Sequence, residues 1–367
     1  MIPRSFAALV LAASTLLAAC SSTPSNAPSD APSDSASATT ETATSESSSP
    51  DASEPSTETA GSSSGAYTVA AHTTYPYETE SCGRKLTFKE SPKKVVSIGF
   101  ATVPTMIDLG LEDRIAGLTQ EIPEHTYPAE MEAKMKAMPR LLSSQKGGGG
   151  VEVSTETILN AEADMTIGPE NNMDFDALAA AGVQGFVQAG YCRNVDPAPA
   201  KISDIHDVYD AIGQIFDVPE AAAKAKEDVD KRLEAVKGTD STPAGTAAVL
   251  YLTPGEATVW TYGTSSMAHV IMETAGLDNV YKDNDKRVFE LSLEDLLARN
   301  PDRIILVNIG YDEAETKEAF TTMGNMKDLK AVKEDKVMVM PFAWTDPASS
   351  LVVDGIEKVS TWVNETK

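Results

Sequence analysis

The 367-residue sequence predicts an α/β fold: two Rossmann-like lobes with mainly parallel sheets, joined by a single long helix, with a ligand cleft between the lobes. Three observations carry that expectation. Short β-branched runs alternate with helical patterns, as in parallel sheets covered on both faces. The runs fall into two groups, parted by about 45 residues without a strand-like stretch. One motif also occurs twice: "VSTETILNAEADMTI" at 153–167 is echoed by "LSLEDLLARNPDRIIL" at 291–306, so Ser154 answers to Ser292, Glu156 to Glu294, Leu159 to Leu297 and Asp164 to Asp302. Two copies, rather than a solenoid's many, mark two lobes of related build.

In chain order, Arg4 precedes an uncharged apolar run from Phe6 to Ala19 that closes in Leu17-Ala18-Ala19-Cys20. That run is too short to cross a bilayer as a mature helix and has the length of an export signal. Residues 1–20 therefore read as a leader, and the residues alone leave open whether Cys20 is incidental to an ordinary cleavage site. From Ser21 to Gly65 there is no Val, Ile, Leu, Met, aromatic, Lys or Arg, so this stretch cannot bury apolar surface and is expected to be a disordered tether. Its flexible-chain reach is roughly 40 Å.

The remaining body is long enough for two lobes with real cores. Seven acids of the tether and the leader's arginine removed, the body carries −19 of the formal −25, which disfavours nucleic acid and anionic lipid as partners. With Cys20 set aside, Cys82 and Cys192 form an even pair in an exported chain and read as one disulfide; two unrelated buried thiols are the alternative.

The N-terminal lobe is placed at 66–202, with strands in "KVVSI" (94–98), "DMTIG" (164–168) and "GFVQA" (185–189). Linking helices follow at 203–244. Ser203 is expected to cap the first, whose Ile205, Val208, Tyr209, Ile212, Ile215 and Phe216 keep helical spacing. The second runs from Pro219, suited to a first turn, to Gly238, suited to a stop, and spans about 30 Å. The C-terminal lobe at 245–367 has strands in "TAAVLYL" (246–252), "TVW" (258–260), "RIILVNIG" (303–310) and "KVMVMPF" (336–342). In each copy of the repeat the serine is an N-cap, Glu156 or Glu294 sits in the first turn, and the aspartate leads into a strand. A fainter echo, "MIDLGLED" at 106–113 and "METAGLDN" at 272–279, ends each helix with Gly then Leu, as a Schellman stop does.

An exported hydrolase is the rival class. "GTSSM" at 263–267 is not a nucleophile elbow, and the "GGGG" at 147–150 lacks the Lys-Ser/Thr of a phosphate loop, so no catalytic residues are expected. Direct zinc or manganese capture needs converging histidines and carboxylates, and the chain has only His72, His125, His206 and His269. No metal ligands are assigned. Strand C-terminal ends instead gather Phe100, Tyr191, Arg193, Trp260, Tyr262, Arg287, Phe289, Tyr311, Phe342 and Trp344 at loop mouths. Aromatic walls with one or two arginines suit a large, flat, partly anionic chelate. Of these, Phe100, Tyr191, Arg193, Trp260, Tyr262, Arg287, Tyr311 and Trp344 are the expected ligand-binding residues; for each, a place in the lobe core or as a loop anchor is the alternative.

The stretches "SPKKVVSIG", "MIDLGLEDRIAGL", "VSTETILNAEADMTI", "VYDAIGQIFDVPEAA", "VWTYGTSSMAHVIMETAGLDNV" and "LSLEDLLARNPDRIILV", in this order and spacing, resemble the substrate-binding lipoproteins of bacterial ABC importers, in the helical-strut class that captures ferric siderophores, haem and cobalamin. The resemblance covers about residues 82 to 365. It implies that Cys20 is lipidated after cleavage, which anchors the chain at the extracytoplasmic face of the cell membrane. It implies a monomeric receptor for iron transport and iron homeostasis that captures a ferric siderophore and delivers it to an ABC permease dimer with its ATPase. No cofactor beyond the lipid is implied, iron entering only within the siderophore or haem. In such proteins a glutamate of each lobe meets arginines of the permease, which makes Glu156 and Glu294 the docking candidates. "SCGR" and "GYCRN" resemble an actinobacterial branch in which Cys82 and Cys192 are bridged. Ala163, where the family usually has proline, departs from the pattern. Haem is the alternative cargo, with Tyr262, Met267, His269 and Tyr191 as axial candidates; cobalamin or a deazaflavin precursor is a third.

Overall fold

The computed structural model describes residues 67–141, 153–170, 173–193, 195–236 and 244–366. The leader, Cys20, the tether, the "GGGG" run and Gly238 lie outside the described residues.

A hairpin not foreseen from the sequence opens the body. β1 (Tyr77–Ser81) pairs antiparallel with β2 (Arg84–Phe88), and the turn residues Cys82 and Gly83 both carry positive φ, 51° and 72°, as a two-residue hairpin loop requires. Leu86 and Phe88 alternate into the core. The first sheet follows: β3 (Val95–Ser97), α1 (Val103–Asp108), β4 (Ile115–Leu118), α2 (Ala129–Ala137), α3 (Thr155–Asn160), β5 (Met165–Ile167), α4 (Phe175–Ala180) and β6 (Gln184–Phe186). Its order is β4-β3-β5-β6, parallel throughout. β3 and β5 are buried at every position, as strands covered on both faces must be. β4, "IAGL", has a single β-branched residue and left no strand signal.

Two helices link the sheets, α5 (Ser203–Phe216) and α6 (Pro219–Val236). The expected cap at Ser203 is corrected: Ser203 is already helical and Ile202 precedes it without a side-chain cap, while the Asp204 carboxylate accepts the Lys201 N–H at 2.9 Å. Asp217 turns left-handed (φ 57°) and Pro219 opens α6, which is about 27 Å long. The helices approach so closely that a Cβ on Gly213 would lie 2.7 Å from the Ala222 methyl.

The second sheet comprises β7 (Thr246–Leu252), β8 (Val259–Tyr262), β9 (Asp278–Asn279), β10 (Val288–Glu290), β11 (Arg303–Asn308) and β12 (Val337–Pro341), interleaved with α7 (Met267–Thr274), α8 (Leu293–Arg299), α9 (Glu313–Thr322) and α10 (Lys330–Lys333), and closed by α11 (Leu351–Glu365). Its order is β10-β8-β7-β11-β12 with β9 on β7. β7, β9, β11 and β12 pair in parallel, whereas β7–β8 and β8–β10 are antiparallel. Ala247, Val249, Ile305 and Met340 face α7 and α11; Ala248, Leu250, Ile304 and Val339 face α8, α9 and α10. The first of these clusters runs unbroken from Val95 and Val103 through Ile212 and Val229 to Val249 and Leu351, so the lobes share one apolar core.

Polar clasps reinforce it. Asp108, at the end of α1, accepts from the Tyr209 hydroxyl of α5 (2.6 Å) and the Ser350 hydroxyl ahead of α11 (2.7 Å). Arg232 of α6 reaches Asp354 and Glu357 of α11 at 3.1 and 3.0 Å. Ahead of β1, residues 67–75 lie along the linking helices. Tyr67 donates to Asp230 at 2.5 Å, the Thr73 amide to Asp217 at 2.8 Å, and the Tyr75 hydroxyl to the Ile215 carbonyl at 2.8 Å.

Both echoes have a physical content. Ser154 and Ser292 cap α3 and α8 by accepting from the Thr157 and Asp295 amides. Asp164 accepts from the amides of Lys93 (2.7 Å) and Lys94 (3.1 Å), and Asp302 from the amide (2.8 Å) and hydroxyl (3.0 Å) of Thr246, so each aspartate holds the start of the neighbouring strand, β3 or β7. Gly110 and Gly276 have positive φ, and the Leu111 and Leu277 amides return to the Met106 and Met272 carbonyls at 2.8 Å, the six-to-one bond of a Schellman stop.

Asp302 also takes the Lys330 ammonium at 2.6 Å, and that pairing, with the Thr246 bonds, pulls its pKa down to about 2. A depressed folded-state value contributes stability that is present above the unfolded carboxylate range and lost as pH falls toward 2. Asp302→Asn should therefore cost about 1 to 2 kcal/mol in urea unfolding at pH 7, and the deficit should shrink below pH 3. A deficit independent of pH would assign the loss to packing instead.

Candidate functional site

The strand ends of both sheets meet at a floor built around one ion pair. Tyr191 ends a 3-10 turn just after β6, and the adjoining Cys192 is bonded to Cys82 of the hairpin turn, with Cα atoms 5.3 Å apart. The single-disulfide reading thus holds over that of two separate thiols. Arg287 arrives from the loop between β9 and β10. That loop lies directly against the end of β8, where a Cβ on Gly263 would sit 2.3 Å from the Asn284 carbonyl. The Thr264 amide and Ser265 hydroxyl pin it further, donating to the Asn284 and Asp285 carbonyls at 2.9 and 2.6 Å.

From there the Arg287 guanidinium lies 4.4 Å over the Tyr191 ring and pairs with the Asp346 carboxylate, which follows the 3-10 turn after β12. Tyr191 also donates to Asp346 Oδ2, at 3.4 Å. The Asp346 side chain is 0% exposed and that of Arg287 24%. Burial pushes the Asp346 carboxyl above its usual range, opposed by Arg287 and the Tyr191 hydroxyl. Burial, then the charge of Asp346, raises the Tyr191 and Tyr262 hydroxyls well above theirs, so both stay protonated donors.

A row of aromatic rings crosses the seam beside this floor. Tyr127 meets Phe100 edge-on at 6.1 Å, Phe100 meets Phe342 at 6.4 Å, and Phe342 meets Tyr251 at 6.1 Å. The first two belong to the first lobe and the last two to the second. Trp260 is the cross-strand partner of Tyr251. Gln188 spans the seam, its amide reaching the Ala348 carbonyl at 3.5 Å.

Of the residues expected from sequence, Tyr191 and Arg287 converge directly, Tyr262 lies close by but buried in the core at 2% exposure, Phe100 stands in the ring row, and Trp260 adjoins its end. Tyr311, 41% exposed, lies near enough to Tyr251 to raise its hydroxyl's pKa slightly, behind burial and Glu256. Trp344 is half-buried against α11, with Lys358 5.7 Å over its ring. Arg193 is exposed, and its amide donates to Glu170 at 2.5 Å. Phe289 packs on Tyr281 within the cluster on the sheet's other face. Met267 is buried in the core, and His269 sits at 7% exposure with Nδ1 3.4 Å from Asn279. His206 approaches Tyr67 and Asp230, and His72 approaches Asp217 and Glu220. Sequence reasoning missed Asp346, Tyr127, Tyr251 and Gln188. Tyr251 and Tyr127 carried a signal as aromatics at or after strand ends; Asp346 carried none, one acid among 55.

Two α/β lobes on a shared core, a strut of helices, and a charged and aromatic floor where strand ends converge define a solute-binding protein. The chain belongs to the periplasmic binding protein family, whose model matches residues 95–343. The petrobactin-binding protein YclQ of Bacillus subtilis is 23% identical over 322 residues, covering 83% of this chain and 90% of that protein. The crystal structure of an ABC-type Fe3+-hydroxamate transport system from Saccharomonospora viridis superposes with a TM-score of 0.72 at 31% identity, over 79% of this chain and 99% of that one. The vitamin B12-binding protein BtuF of Vibrio cholerae shares the fold, with a TM-score of 0.55 at 18% identity over 75% of this chain and 98% of its own. Among the described residues no helix is long and apolar enough to cross a membrane.

The disulfide closes a sequence separation of 110 residues beside Tyr191. Reduction should lower stability by about 4 kcal/mol in the chain-entropy picture and weaken cargo binding with it. Chemical unfolding with and without reductant measures this, and coincident curves would contradict it.

Proposed function

We propose that the protein is a lipid-anchored extracytoplasmic receptor that captures a ferric siderophore and delivers it to an ABC importer permease. The observation that carries the cargo reading is the floor itself: Arg287 stacked on Tyr191, with the Tyr191 and Tyr262 hydroxyls beside it, flanked by a ring row drawn from both lobes. A ferric chelate is a large body with oxygen acceptors on its surface and apolar stretches between them. Protonated tyrosines and a guanidinium serve the first, and ring edges the second. The petrobactin-binding and Fe3+-hydroxamate relatives support the same class. Cys20, at the end of an export signal, supplies the anchor. Haem is the second reading and rests on Tyr191 as the axial ligand, since Tyr262, Met267 and His269 are all held in the core.

Glu156 and Glu294 stand exposed in the first turns of α3 and α8, at matching positions of the repeat, and serve as the contacts to the two permease subunits. Glu294 additionally accepts from the Ser292 hydroxyl at 3.1 Å.

Two experiments test these roles. At least one of the ferric hydroxamates, catecholates and citrate should quench the tryptophan fluorescence of the purified protein, whereas quenching only by haemin, with a Soret band, would replace siderophore by haem. Glu156→Lys combined with Glu294→Lys should leave cargo affinity within about twofold of the parent and stability within about 1 kcal/mol, while abolishing uptake through the intact transporter. Uptake that survives the double reversal would reduce both glutamates to helix-end acids.

A further inference from the structure

The floor holds an arginine, yet its charge is already answered. Among the charged groups that bear on the Tyr191 and Tyr262 hydroxyls, Arg287 and Asp346 are one of each sign. They are in direct contact, with the acid wholly shielded from solvent. Asp346 divides its labour: Oδ2 takes Arg287 and Tyr191, while Oδ1 is buried and accepts no hydrogen bond. Close by along the same seam, Gln188, 2% exposed, turns its amide N–H to Ala348 and leaves Oε1 buried without a donor. A multiply anionic chelate would find the guanidinium's charge already cancelled by Asp346.

We infer that Asp346 is the residue that sets the charge class of the cargo, so that the site takes an uncharged or positively charged ferric chelate, of the trihydroxamate kind, and disfavours multiply anionic catecholate and carboxylate chelates. This rests on the siderophore reading and narrows it. Asp346 acts on selection by cancelling the attraction that an unpaired Arg287 would exert on anions. Replacing the carboxylate by the isosteric amide removes the cancelling charge and leaves Arg287 free to draw anions.

The test is a binding titration of the full-length protein in detergent with three probes: ferrioxamine B, singly positive; ferrichrome, uncharged; and ferric enterobactin, triply negative. The parent should bind the first two at least about tenfold more tightly than the third, a difference of about 1.4 kcal/mol. Asp346→Asn should weaken ferrioxamine B and strengthen ferric enterobactin, moving their ratio by about tenfold or more toward the anion. The ranking by the parent protein stands as evidence even if the variant does not fold. A parent that prefers the triply negative chelate, or an Asp346→Asn protein with an unchanged ratio, overturns the inference and leaves the siderophore reading intact. Binding of none of the three, nor of ferric citrate, by the parent overturns that reading and the inference together.

Discussion

The approach of Gly213 to Ala222 is the constraint on which the two lobes depend. Only a side chain that ends at its Cα lets α5 lie this close to α6, since even one methyl would stand 2.7 Å from its neighbour. With the helices in contact, Ile212 and Val229 carry the first lobe's core into the second without a break. A core shared in this way resists shear, because any rotation of one lobe would pull apart side chains packed at the density of a crystal. Asp108, clasped by Tyr209 and Ser350, adds a directional joint to that non-directional one. The cleft therefore owes its dimensions to helix packing some distance from it.

That rigidity explains the character of the floor. Arg287, Tyr191 and Asp346 come from three separate segments, each fixed by its own local device: the loop pressed on Gly263, the Cys82–Cys192 bond, and the 3-10 turn after β12. None of the three needs cargo to hold its position. A buried ion pair is weak evidence of stability, since desolvation offsets most of the attraction.

The architecture was largely legible in the sequence, because its determinants are local. Ser154 and Ser292 announce caps, Gly110 and Gly276 announce stops, and the β-branched, mainly apolar runs of β3, β5 and β11 announce a buried sheet. The repeat told of two lobes because the aspartate latch to the next strand is needed once in each. What failed to show was whatever lacks a local signal. The hairpin rests on a cysteine at positive φ, a conformation that residue rarely announces. β4 is short and glycine-interrupted. Ser203 looked like a cap because cap propensity cannot tell the Ncap from the position after it. In the site, loop-mouth aromatics and Arg287 could be picked out by position. Asp346 could not, because nothing in its neighbouring sequence sets it apart, and its burial is a property of the folded whole.

Residues 67–75 add a mechanical consequence. The chain enters the body not at a lobe but along the linking helices, stitched by Tyr67 to Asp230, by Thr73 to Asp217 and by Tyr75 to the Ile215 carbonyl. A pull entering at Tyr67 would thus be spread over three fastenings on α5 and α6 before it could reach β1. Such a load would bypass both walls of the cleft and leave how firmly they grip unchanged.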